Sequence, residues 1–186
     1  NTEGENNTAI GNGALCNNET ADNNTAVGRC ALFANTLAGN NVAVGVCALN
    51  ANTTGGQNIA VGVCALDTNI DGECNVAIGH LALTSNTTAD ANTGIGFCAL
   101  KSNTTGLRNT SVGASSLDAL TAAGDSTAVG FDAGSSITTG GDNTAIGSCS
   151  LKNTTTGCRN VAIGSRSLLC NTTGVQNEGI GYFALC

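Results

Sequence analysis

The chain has 186 residues, of which 10% are charged and 3% aromatic, and it contains neither proline, tryptophan nor methionine. Its net charge of −7 argues against nucleic acid and anionic membrane surfaces as partners, and no apolar run approaches the ~20 residues of a membrane span. No leader is recognisable at the start, which opens mid-repeat, an arrangement compatible with removal of a signal segment.

From Gly11 a glycine returns every seventeen residues, at Gly28, Gly45, Gly62, Gly79, Gly96, Gly113, Gly130, Gly147, Gly164 and Gly181. A period this strict marks a solenoid, whose single coils cannot bury an apolar face and must stack on their neighbours. Coils begin at Asn7, Asn24, Asn41, Asn58, Asn75, Asn92, Asn109, Ser126, Asn143, Asn160 and Asn177, taken as position one. The unit then reads roughly N-[TV]-A-[IV]-G-x-x-A-L-x-x-N-T-T-G-x-x, and residues 1–186 form a single domain.

Within each coil, β-branched residues at positions two and four lead into the position-five glycine, which predicts a five-residue strand and a bend. Glycine and asparagine are too frequent for a helix. A small residue at position fifteen, such as Gly55 or Gly106, marks a second bend, and two or three short strands per coil are expected. The fold class is therefore all-β: a parallel β-solenoid of eleven seventeen-residue coils. At the ~4.8 Å spacing of strands it makes a rod about 50 Å long.

Position four is Ile or Val in every coil, and position nine is Leu except at Gly134; these are the large apolar side chains. Position three is Ala, Gly or Ser. If position four points inward, the small stripe points outward and lets another chain approach; the opposite arrangement follows if a narrow coil admits only small residues. Asn dominates positions one and twelve, the latter from Asn1 to Asn171, and predicts stacked amide ladders at the bends. Thr at positions thirteen and fourteen forms ranks, interrupted by Glu19, Leu37, Ile70 and Asp71, that suggest ice binding as an alternative function.

Ten cysteines point to an oxidising compartment, and no zinc-like spacing competes. Cys30, Cys47 and Cys64 share position seven on successive coils, so a disulfide from Cys47 to either neighbour and buried free thiols are both open readings. Cys186 falls one position from Cys170 in the repeat, so these two are also candidate disulfide residues, and a bond between them in short monomers would speak against polymers. Carrying the register past both ends would set Cys186 one rung from Cys16 of a second molecule, a candidate joint for end-to-end polymers. Sequons at Asn6, Asn18, Asn23, Asn52, Asn86, Asn103, Asn109, Asn153 and Asn171 are candidate glycosylation sites.

Chemistry is thinly supplied. His80 is the sole histidine, the carboxylates scatter over variable columns, and no phosphate-cradling loop or calcium-type Asp spacing occurs. No catalytic residue, metal ligand or cofactor is expected, and the chain is read as a non-enzyme.

The segments Asn41–Gly45, Asn75–Gly79 and Asn143–Gly147, followed by A-L and N-T-T-G, resemble repeats of trimeric autotransporter adhesin heads and of phage and large-virus tail fibres. That resemblance implies a left-handed β-roll, often a homotrimer, displayed on a cell or virion for attachment or as a shaft, with a cell-surface receptor or glycan as partner. Adhesin heads usually have a shorter repeat and few cysteines. The expectation is an extracellular structural filament, self-associating end to end and laterally; a homotrimeric adhesive shaft is the alternative.

Overall fold

A computed structural model describes residues 2–186; Asn1, the first member of the position-twelve column, lies outside them. Eleven three-residue strands follow one another: β1 Thr8–Ile10, β2 Thr25–Val27, β3 Val42–Val44, β4 Ile59–Val61, β5 Val76–Ile78, β6 Thr93–Ile95, β7 Thr110–Val112, β8 Thr127–Val129, β9 Thr144–Ile146, β10 Val161–Ile163 and β11 Glu178–Ile180. They form one parallel sheet in sequence order, and each strand pairs with the next at an offset of seventeen residues, as in Ala43 opposite Ala60. The chain is a β-solenoid.

One strand per coil, shorter than expected, replaces the two or three that the turn signals suggested. The position-five glycine ends it, with φ between +122° and +143° along the column. A Cβ at Gly130 would stand 2.7 Å from the carbonyl oxygen of Gly147, one coil on, so dihedral and space both require glycine. Beyond it the backbone is folded by left-handed residues rather than extended. Position nine has φ +50° at Leu32, Leu49 and Leu83, and position seven has φ +56° at Cys30 and Cys47. A left-handed leucine costs roughly 1–2 kcal/mol, but its full burial stabilises by about 1.5–3 kcal/mol, so packing outweighs the strain. The remaining sides of the coil still bond upward and downward: Leu49 N–H donates to Ala65 O at 3.0 Å, and Cys47 N–H to Arg29 O at 2.9 Å.

The interior holds the small position-three residues, the Ala or Ser of position eight, Leu of position nine and the two Asn columns. Side chains of positions two and four point outward. This decides between the two arrangements left open by the sequence: a seventeen-residue coil is too narrow for Ile or Val on that side, as Gly94 illustrates, where an added Cβ would stand 3.2 Å from Leu83 Cγ. Where serine replaces both alanines of one coil, Ser111 Oγ donates to Ser116 O at 2.7 Å and contacts Ser116 Oγ, so the buried hydroxyls satisfy each other.

The amide ladders lie inside the coil and satisfy its buried polar groups. Asn41 N–H donates to Asn24 Oδ1 at 2.9 Å, and Asn41 Nδ2 donates to Gly55 O at 3.0 Å. In the second column Asn69 Nδ2 donates to Asn52 Oδ1 at 2.8 Å and to Gly72 O at 2.9 Å. The position-fifteen carbonyl thus takes an amide from each column, as Gly72 O does from Asn58 and Asn69.

Candidate interaction surface

The outer face of the sheet is the surface with the most regular composition. Column four is Ile or Val throughout; column two holds Thr, Val or Ile except at Glu178. Ile59, Ile78 and Ile146 are each 39% exposed, whereas the alanines between the columns, Ala60, Ala77 and Ala145, are buried. Position six extends this strip across the glycine bend with exposed Val46, Val63, Phe97 and Phe131, and carries Arg29 as its one formally charged member. The His80 ring stacks on Phe97 with centroids 5.6 Å apart, so the lone histidine belongs to this apolar ridge. Sequence reasoning read position six only as variable; its run of Val46, Val63, Phe97 and Phe131 was the available signal.

β-branched side chains have few χ1 rotamers, so ordering them against a partner costs little entropy. The strip is about 50 Å long and about 10 Å wide, which gives on the order of 500 Å², within the range where exposed apolar patches mark interaction sites.

The threonine ranks are arranged differently. Position-thirteen hydroxyls donate to backbone carbonyls of the next coil: Thr53 Oγ1 to Ile70 O at 3.1 Å and Thr104 Oγ1 to Thr121 O at 3.0 Å. Their neighbours at position fourteen, such as Thr54, Thr88 and Thr105, are exposed, so the two ranks do not form one plane.

Apart from Arg29, His80, Glu178 and Tyr182, the ionisable groups sit on other sides of the coil. Arg108 and Asp125 form an exposed bidentate pair at 2.7 and 2.8 Å, and the arginine holds the Asp125 carboxyl below its ordinary value. Lys152 Nζ reaches Asp132 Oδ2 at 2.8 Å and is pushed up by that carboxylate. Burial pushes Asp118 up, with Asp132 adding to it and Lys101 opposing. Asp67 is also raised by burial, against the pull of Asn50 and Cys64, and its Oδ1 has no hydrogen-bond partner. Burial, then Asp67 and Cys47, raise the Cys64 thiol.

All ten cysteines stand as thiols. Cys30, Cys47 and Cys64 are half-buried in one column. Cys16 is exposed at the other end of the rod from Cys186, whose Sγ lies 2.8 Å from that of Cys170. The sequons divide sharply. Asn18, Asn52, Asn86, Asn103 and Asn109 are buried, and the side-chain nitrogens that would carry a glycan donate to backbone carbonyls, as Asn52 Nδ2 does to Gly55 O at 2.9 Å. A glycan on any of them is incompatible with this fold, because the nitrogen is both enclosed and engaged. Asn171 is half-buried, with Nδ2 donating to Thr154 Oγ1 at 3.1 Å; Asn6, Asn23 and Asn153 are exposed.

Among the described residues there is no pocket, no group of three or more His, Cys or carboxylate side chains placed to hold a metal ion, and no helix long and apolar enough to cross a membrane. Comparison with protein-family models, with curated proteins and with solved structures returned no match.

Proposed function

We propose that this chain is a rod segment of an extracellular fibre, with rods packed side by side through the Ile/Val face of the sheet. The observation that carries the reading is the outward direction of columns two and four, which leaves a β-branched strip, interrupted by a charge only at Glu178, along a regularly bonded solenoid. Two such strips facing one another bury on the order of 1,000 Å² in total, the threshold at which a specific interface becomes stable. The buried position-one Asn ladder supports a mechanical role, because from Asn24 to Asn92 it ties each coil to the next by the same side-chain bond. Growth in length follows the coil register, whether inside one longer chain or between chains. An adhesive shaft on a cell or virion would use the same lateral packing. Ice binding through the position-thirteen threonines is less well supported, since their hydroxyls donate to carbonyls of the next coil.

Sedimentation velocity on the full chain, beside Val61→Lys and Ile78→Lys, tests the lateral packing. The wild type should sediment as an oligomer, and each lysine variant should shift to the monomer with an unchanged β-sheet circular dichroism spectrum. A wild type that stays monomeric at high concentration, or lysine variants that remain associated, would sink the reading.

A further inference from the structure

We propose that Cys170 and Cys186 form an intrachain disulfide that clamps the coil of β11 onto the coil of β10. The two Sγ atoms lie 2.8 Å apart and both residues are exposed, so partner and reagent are in reach. Position explains why these two meet. Cys170 stands at position eleven and Cys186 at position ten of the next coil, a pair of positions that lower in the rod is joined by backbone bonds: Ala51 N–H to Asp67 O at 3.0 Å and Ser136 N–H to Lys152 O at 3.1 Å. Cys30, Cys47 and Cys64 instead repeat one position, so their side chains project in parallel from the same left-handed backbone, φ +56°, +56° and +54°. Cys74 Sγ is engaged elsewhere, 3.3 Å from Gln57 Oε1.

The inference rests on the extracellular placement proposed above, since such a bond persists in an oxidising compartment. The oxidant is a low-molecular-weight disulfide. One protein thiolate attacks it, forming a mixed disulfide and releasing one small thiolate; the second protein thiolate then displaces the other. Two protein thiols lose two electrons and two protons, and the small disulfide is reduced to two thiols.

The full chain, equilibrated with oxidised glutathione, alkylated with iodoacetamide and digested with trypsin, gives the test. Cleavage after Arg166 leaves both cysteines in the peptide 167–186. That peptide should be unalkylated and lighter by two hydrogens, while the peptide 30–101, which holds Cys30, Cys47 and Cys64, carries the label on each of them. A doubly alkylated peptide, or one cross-linked to the Cys16 peptide of another molecule, would overturn the proposal. Chymotryptic cleavage at Tyr182–Phe183 should slow at least about tenfold on oxidation and lose that response in Cys170→Ser; equal rates would also overturn it. Sedimentation of Cys170→Ser keeps the two readings separable: loss of the clamp should leave lateral association intact.

Discussion

Ile137 occupies the space that Gly134 leaves. Gly134 is the one exception to leucine at position nine, and a Cβ added to it would stand 3.0 Å from Ile137 Cδ1 and 3.0 Å from Leu117 Cδ2. Ile137, fully buried, replaces in turn the asparagine of position twelve in the same coil. One coil has therefore exchanged a leucine and an amide for a glycine and an isoleucine at nearly constant apolar volume.

Gly134→Leu alone should overpack this layer and destabilise by about 1–3 kcal/mol. Ile137→Asn alone should leave a cavity and cost about 2–5 kcal/mol. Together they restore the repeat, and the introduced amide would have Gly140 O as acceptor, by analogy with Asn52 and Gly55. The double variant should be more stable than the sum of the single losses implies, by roughly 1–3 kcal/mol of coupling. Urea denaturation of the four proteins checks this, and simple additivity would contradict it.

The second amide ladder breaks one coil below. Asn103 Oδ1 is buried without a partner because the residue above it in the column is Leu120. Replacing Asn69 orphans Asn52 Oδ1, whereas replacing Asn103 orphans Asn86 Oδ1 but removes an existing orphan. Asn69→Leu should therefore cost about 1–3 kcal/mol more than Asn103→Leu, the penalty of one unsatisfied buried acceptor. Equal losses in thermal and urea melts would show that the orphan carries no penalty.

Stability should fall as pH rises through the acidic range on account of Asp67. Burial holds its folded pKa above the ordinary carboxylate value, so the folded state binds the proton more tightly than the unfolded chain. The favourable contribution is present below the unfolded value of about 3.9 and disappears as pH rises through the higher folded value. Asp67→Asn should flatten this part of the profile and raise the urea midpoint at about pH 7 relative to wild type. A wild-type and variant pair with parallel profiles would refute the assignment.

Much of the fold could be read from the letters. Gly11 to Gly181 gave the coil, its register and the parallel order of the strands, because a glycine that faces the backbone of the next coil tolerates no other residue. Leu at position nine was legible as core, and the Asn columns as ladders. The surface was less legible. A three-residue strand offers two opposite ways to direct its side chains, and the Ala column could be read as an outer approach surface or an inner lining. Likewise N-T-T reads as a sequon at Asn52 and Asn103 although both amides are interior, and the threonines at position thirteen read as a free rank although their hydroxyls are spent on carbonyls.

Sequence by itself determined the period, the all-β class and the identity of every column, because stacked identical coils make the same demand at the same position each time. Tertiary structure decided which columns face water and which thiols meet. Those outcomes depend on the width of the coil interior and on the left-handed turns at positions seven and nine, which residue identity does not announce, since leucine and cysteine adopt that conformation only when the stack around them compensates for it.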